Sequence, residues 1–219
     1  MKIAVLGGSF NPIHIGHLAL ADEVCTVLGY DKVLFIPTYN PPHKEMNAAL
    51  PSSERLELVR LACNGDPRFC VDSCEIEREG ISYTYDTICF LERTYGSKLD
   101  APIGLIMGDD LLAGFHLWYK ARELAEKCTL ILARRQVTAE DKKHSNVHFG
   151  EYANVSHGEF AFDISSEPLF EHAVRLDNAV LPVSSTDIRS RIAAGKGFKY
   201  LVPTAVFNYI KDGSLYECK

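Results

Sequence analysis

Lys2-Ile3-Ala4-Val5-Leu6-Gly7-Gly8-Ser9-Phe10-Asn11-Pro12-Ile13-His14-Ile15-Gly16-His17 opens the chain with an apolar run, two glycines and a pair of histidines three residues apart. Lys2 to Leu6 is short and β-leaning, and glycines end it, which predicts a buried strand. From His14 to Leu28 the period changes. Leu18, Ala21, Val24 or Cys25, and Leu28 recur on one helical face, and Gly29 is a stop signal. The stretch is therefore a strand, a tight glycine turn and a helix. In a parallel sheet that junction faces the crevice beyond the strands' carboxyl ends. Gly7 and Gly8 let backbone approach a ligand closely. The first N–H groups and the dipole of the next helix favour an anion there. His14 and His17 share a face at that helix start, and Gly16 keeps the approach uncrowded. A capped helix start with exposed polar residues would give the same local pattern. Neither the G-x-G-x-x-G fingerprint nor the G-x-x-x-x-G-K-[ST] loop occurs at this junction.

Outward from this unit, strand and helix patterns alternate. Lys32–Ile36 reads as a strand closed by Pro37, and Ser52 or Ser53 as the cap of a helix reaching Ala62. Phe69–Ile76 reads as strand and Tyr85–Tyr95 as helix. Ile103–Met107 reads as strand, Leu111–Lys127 as helix interrupted near Gly114, and Thr129–Ala133 as strand. Between Gln136 and Asp177 the pattern weakens to one strand with loop. Ala179–Val183 is expected as a strand, Ser185–Ala194 as a helix, and Thr204–Lys211 as a helix after Pro203. Alternation of this kind predicts α/β architecture, a Rossmann-like doubly wound parallel sheet with a small C-terminal helical portion. The expected organisation is one domain, with residues 1–183 as core and 184–219 as the helical portion.

Composition narrows the function classes. At 219 residues the chain can bury a sizeable core, and 47% hydrophobic with 24% charged residues is globular. A net charge of −6 argues against a nucleic-acid partner, which selects a basic face. The seven cysteines are odd in number and contain no C-x-x-C pair, so free thiols in a reducing compartment are expected, in the cytoplasm. The apolar run at the N-terminus is too short for a signal peptide or a membrane span.

Three further stretches place polar chemistry at strand ends. The prolines of Pro37-Thr38-Tyr39-Asn40-Pro41-Pro42-His43-Lys44 stiffen a loop that would deliver His43 and Lys44 to the same edge. Ser82 or Thr84 can cap the helix of Ser82-Tyr83-Thr84-Tyr85-Asp86-Thr87. In Val183-Ser184-Ser185-Thr186-Asp187-Ile188-Arg189, Ser185 or Thr186 can cap a helix with Arg189 one turn in, suited to bidentate phosphate contact. Read singly, each is equally a rigid loop or a capped helix with a solvated cation.

Taken together, these stretches carry a resemblance. GGSFNPIHIGH is similar to the GG[TS]F[DN]PxHxGH signature of the adenylyltransferase branch of the HxGH nucleotidyltransferase superfamily. PPHK, SYTYDT, Gly108-Asp109, Trp118-Tyr119 and SSTDIR follow in the order of the bacterial nicotinate-nucleotide adenylyltransferases. Pantetheine-phosphate adenylyltransferases share the first motif and lack PPHK. The resemblance spans residue 1 to about residue 212. Asn11 stands where Asp is commoner, and Arg135 where family members often have Pro.

The resemblance implies adenylyl transfer from ATP to nicotinate mononucleotide, giving deamido-NAD and pyrophosphate in NAD biosynthesis. It implies Mg2+ with ATP, no metal held by the protein alone and no nucleic-acid or membrane partner, and it leaves a homo-oligomer open. It assigns catalytic roles to His14, His17, Lys44 and Arg189. ATP would be bound by these histidines and Arg189 with Gly7, Gly8, Ser9, Phe10, Gly108, Asp109, Ser185 and Thr186. The mononucleotide would be bound by Asn40, His43, Lys44, Thr84, Tyr85, Trp118, Tyr119 and Arg134. Two rival readings share these residues: use of the amide, nicotinamide mononucleotide, alone or as well, and a nucleotide sensor that catalyses nothing.

Overall fold

A computed structural model of the chain describes residues 1–42, 49–134 and 167–217. Six parallel strands form its sheet: β1 (Ile3–Gly8), β2 (Lys32–Pro37), β3 (Phe69–Val71), β4 (Gly104–Gly108), β5 (Thr129–Ala133) and β6 (Val174–Leu176), in the order β3-β2-β1-β4-β5-β6. The helices are α1 (Ile15–Leu28), α2 (Ser52–Cys63), α3 (Cys74–Arg78), α4 (Thr84–Tyr95), α5 (Ala121–Lys127), α6 (Ser185–Ala193) and α7 (Thr204–Asp212).

The central strands are apolar on both faces because both faces are covered. Ala4 and Leu6 of β1, Val33 and Phe35 of β2, Ile106 of β4 and Ile131 of β5 enter one core. That core is completed by α1, α2, α6 and α7 through Val24, Leu58, Ile188 and Ile210. The alternate residues Ile3, Val5, Leu34, Ile36, Leu105, Met107, Leu130 and Leu132 enter a second core with Ile88 and Leu91 of α4 and Leu124 of α5. Period-two alternation thus sorts a continuous apolar run into two layers. Strand order reverses between β1 and β4, so the crevice at their carboxyl ends lies between Gly8 and Gly108.

The doubly wound α/β expectation holds, and several local readings are corrected. The strand expected over Phe69–Ile76 ends at Val71, because the Asp72 carboxylate accepts from the Cys74 N–H at 2.9 Å and turns the chain into α3. Ala179–Val183 is not a strand. The sixth strand lies earlier, at Val174–Leu176, and the Ala179 N–H donates to the Glu23 carboxylate instead of a neighbouring strand. Leu111–Lys127 divides into a 3₁₀ stretch, Asp109–Leu117, and α5. The break is at Lys120, whose φ of 53° cannot continue a right-handed helix. Neither Ser52 nor Ser53 caps α2, whose N-cap position is Pro51. Ser82 and Thr84 do not cap α4, whose N-cap is Tyr83. His43, Lys44 and Arg135 lie outside the described residues.

Gly104 in β4 is a packing glycine. A Cβ there would sit 2.7 Å from the Tyr30 ring and 2.8 Å from Ile131 Cδ1. Both neighbours are core residues. Gly104→Ala is expected to destabilise the fold by about 1–3 kcal/mol, the usual cost of overpacking a filled core. A urea midpoint equal to that of the parent chain would contradict this packing.

Candidate active site

The turn after β1 is where the sequence places the first chemistry, and the structure fastens it from several directions. Phe10 has a left-handed φ of 44° and is 2% exposed, its ring edge-on to His17 at 5.1 Å. Burial against His17 and Phe35 holds this strained residue in place. A phosphate contact at Phe10 would therefore use its backbone rather than its ring. Arg189 Nη1 donates to the Asn11 carbonyl at 2.7 Å, and Ser185 Oγ donates to the Pro12 carbonyl at 2.8 Å. Residues 173 and more positions apart in sequence thus meet on one turn.

His14 is the N-cap residue of α1, with extended backbone, and His17 lies in the first turn. Their rings lie 3.7 Å apart at 30°, so the pair is one surface at the helix start. The His14 N–H donates to His17 Nδ1 at 3.2 Å. That bond puts the proton of a neutral His17 on Nε2, leaving it as a donor. Gly16 is required beside them, since a Cβ there would be 3.0 Å from Val183 Cγ1 and 3.1 Å from His14 Nδ1.

Ser184, rather than Ser185 or Thr186, caps α6, accepting from the Asp187 N–H at 3.1 Å. Ser185 is thereby released to hold Pro12, and Thr186 Oγ1 receives Arg189 Nη2 at 3.4 Å. Asp109 begins the 3₁₀ stretch directly after β4 and is 7% exposed. Gly7, Gly8, Gly108 and Asp109 therefore stand at the two strand ends that flank the crevice.

On the other side of the edge, Asn40 and Ser82 are paired. The Ser82 N–H donates to the Asn40 carbonyl at 2.9 Å, and the Asn40 N–H reaches Ser82 Oγ at 3.5 Å. Tyr83 stacks on Tyr119 at 4.7 Å, Tyr85 meets Tyr119 edge-on at 6.1 Å, and Lys120 Nζ lies 4.4 Å over the Tyr85 ring. Tyr85 and Tyr119 are thus brought together near the start of α4, of which Thr84 is the first residue. Trp118 packs on Phe115 at 5.3 Å, against the second core. Arg134 is engaged by the chain after β6, through Asn178 and an ion pair with Asp177.

Below the start of α4 lies a buried carboxyl that the motifs do not announce. Glu75 is 5% exposed, and Thr87 Oγ1 donates to it at 2.7 Å while accepting from Arg78 Nη2 at 3.0 Å. Burial pushes the Glu75 carboxyl above its ordinary range, with Thr87, Ser82, Arg78 and Thr38 pulling the other way. A carboxyl with a raised folded-state pKa costs stability once pH exceeds its unfolded value of about 4.3, and the full cost is present above the folded value. Glu75→Gln should therefore gain stability relative to the parent chain as pH rises from 4 towards 7. Urea midpoints of the two chains that stay parallel across that range would contradict this environment.

Arg55 and Tyr216 were also not singled out by the sequence motifs. Arg55 lies on the buried face of α2 with Leu58 and Val59, an i, i+3, i+4 spacing that could have exposed it. Tyr216 donates to Asn11 Oδ1 at 2.7 Å from the C-terminal end of the described chain. Its burial pushes its hydroxyl pKa up, against the pull of Arg189 and Arg55.

Among the described residues no group of three or more His, Cys, Asp or Glu side chains could hold a metal ion. No described helix is long and apolar enough to cross a membrane. The six described cysteines are free thiols, and burial pushes Cys63 and Cys128 up to about 12. Such thiols are poor nucleophiles at neutral pH.

Comparison with known proteins identifies the family. The cytidylyltransferase-like family model matches residues 5–191. A protein of Borrelia garinii subsp. bavariensis named "probable nicotinate-nucleotide adenylyltransferase" is 36% identical over 219 residues, covering 100% of this chain and 96% of its own. One of the same name from Treponema pallidum is 35% identical, covering 99% of this chain and 100% of its own. The solved Plasmodium falciparum nicotinic acid mononucleotide adenylyltransferase complexed with NaAD superposes with a TM-score of 0.72 at 16% identity, covering 100% of this chain and 98% of its own. At that identity the likeness concerns the fold.

Proposed function

This chain belongs to the cytidylyltransferase-like family, among its nicotinate-nucleotide adenylyltransferases, and on that footing we propose that it joins the adenylyl group of ATP to nicotinate mononucleotide. The products are deamido-NAD and pyrophosphate, a step of NAD biosynthesis. The observation that carries this reading is the His14–His17 pair, stacked at the start of α1 beside the β1–β4 crevice.

In the reaction a phosphate oxygen of the mononucleotide attacks the α-phosphorus of ATP. The new P–O bond forms as the bond to the bridging oxygen breaks, and pyrophosphate leaves with that electron pair. A phosphate nucleophile is already ionised at neutral pH, so no strong base is required. Positioning and charge stabilisation carry the catalysis. His14 and His17 hold the phosphates around the reacting centre, with His17 Nε2–H as a donor to charge that develops there. Arg189, one turn into α6, brings its positive charge to the β- and γ-phosphates. Gly7, Gly8, Ser9 and the Phe10 backbone line the approach, and Gly108 and Asp109 close it at β4. Asn40, Thr84, Tyr85, Trp118 and Tyr119 bound the mononucleotide side, to which the PPHK motif also assigns His43 and Lys44. Arg134 serves that side from the end of β5, held by Asn178.

Magnesium enters with ATP, on its phosphates, the usual way this ion is bound where phosphates are the substrate. The family chemistry asks of the ion that it neutralise phosphate charge. An odd number of cysteines without a C-x-x-C pair supports a reducing compartment, the cytoplasm.

Pyrophosphate release from ATP, measured with nicotinate mononucleotide and with its amide in turn, tests the reading. Release with the acid in preference to the amide supports it. Preference for the amide changes the substrate, and no release with either removes the enzyme assignment in favour of a sensor.

A further inference from the structure

Among the described residues Arg55 is the largest fully buried side chain, 2% exposed, and every hydrogen bond it makes there goes to a backbone carbonyl. Nη1 donates to Ser9 at 2.8 Å, Nε to Leu50 at 3.2 Å and Nη2 to Tyr39 at 3.4 Å. Among the described residues no carboxylate lies within ion-pair distance. A guanidinium does not give up its proton in a protein, so the charge stays where it is buried. A charge held this way is costly unless something compensates it.

Its position suggests the compensation. The Ser9 carbonyl belongs to the turn that the proposed reaction uses for ATP, and the next residue, Phe10, is the strained one. The Ser9–Phe10 peptide is trans, so its C=O and N–H point to opposite sides. Fixing the carbonyl on Arg55 fixes the Phe10 N–H on the side away from the guanidinium. The same side chain closes a ring with the turn, because the Leu50 N–H donates to Asn11 Oδ1 at 3.4 Å while the Leu50 carbonyl receives Arg55. Arg189 grips the same turn from the other side at Asn11, and the Tyr216 hydroxyl lies in the field of both cations.

We propose that Arg55 is a positioning residue for the ATP phosphates: from behind the Ser9–Asn11 turn it sets the Ser9–Phe10 peptide and supplies a fixed positive charge whose counter-charge is the bound triphosphate. This rests on the reading that ATP occupies that turn. The sequence hides the role, since Arg55 belongs to no strand-end motif and touches the turn only across 46 residues.

The test uses Arg55→Met and Arg55→Lys in the full chain, with KM for ATP, KM for nicotinate mononucleotide and kcat measured separately. Losing a charged hydrogen-bonding group of this kind is expected to raise the ATP KM at least about tenfold in Arg55→Met. Arg55→Lys keeps the charge without the fork and should fall between that variant and the parent chain. The mononucleotide KM should stay within about threefold, since the charge faces the triphosphate side. A merely structural arginine would reduce the folded fraction, lowering apparent kcat with both KM values unchanged, and that outcome overturns the proposal. If Arg55→Met is unfolded at the assay temperature by circular dichroism, Arg55→Lys decides on the same criterion. Calorimetric binding of inorganic pyrophosphate to the parent chain and both variants gives a readout independent of turnover. Weaker binding in the variants supports the role, and equal binding overturns it. A parent chain that binds pyrophosphate but releases none from ATP overturns the adenylyl-transfer reading alone.

Discussion

Replacing His17 by alanine is expected to lower kcat by about 10²–10³-fold, the range found when one positioned donor to developing charge is removed. The structure supports so large an effect in two ways. Its Nδ1 is engaged by the His14 N–H, which fixes the tautomer and leaves Nε2–H as the donor. Its ring is also held between His14, 3.7 Å away, and the edge of buried Phe10, so its orientation is set before substrate arrives. A donor placed in advance need not reorganise during the reaction, and that is the source of its catalytic value. The measurement is the initial rate of pyrophosphate release with both substrates saturating. A rate within threefold of the parent chain would remove His17 from the mechanism.

Gly16→Ala is the second large expectation, and it separates geometry from stability. Alanine is the better helix former by about 1 kcal/mol, so helix propensity alone favours the variant. Its methyl group, however, would sit 3.1 Å from His14 Nδ1 and 3.0 Å from Val183 Cγ1. Ordinary carbon contacts are about 3.5–4.0 Å, so the His14 ring has to move by some tenths of an ångström or more. Misplacement of a catalytic group on the order of 1 Å can cost about 10² in rate. The variant should therefore lose about tenfold in kcat/KM, less than the cost of a full 1 Å displacement, while its urea midpoint stays close to that of the parent. Unchanged turnover would show that His14 tolerates displacement and is not positioned by Gly16. Lost stability in step with lost activity would place the effect in folding instead.

The two variants test different kinds of information. His17 is legible because its motif is contiguous: GGSFNPIHIGH brings strand end, turn and helix start together within one short segment. Trp118 is equally visible in the sequence, and its half-buried indole packs on Phe115 at the margin of the second core. Tyr85 and Tyr119 do meet, with Tyr83 as an unannounced member of their cluster. Cap positions were the weakest part of the reading. Ser184 rather than Ser185 caps α6, because Ser185 is used to hold the Pro12 carbonyl 173 residues away. A cap is a local preference, and a tertiary bond to the same hydroxyl outweighs it.

By itself the sequence determined the alternation of strands and helices, the parallel sheet it implies, and the position of the histidine pair at the first strand-to-helix junction. These follow from interactions between near neighbours: apolar runs, helical periodicity, and glycines where the backbone must turn. Only the tertiary structure decided how that junction is held. Arg55, Arg189, Ser185 and Tyr216 reach the turn from three separate parts of the chain. Each bond goes to a backbone carbonyl or to a side chain far away in sequence. No spacing rule records such partners, because they are chosen by how the layers pack and not by where the residues fall along the chain.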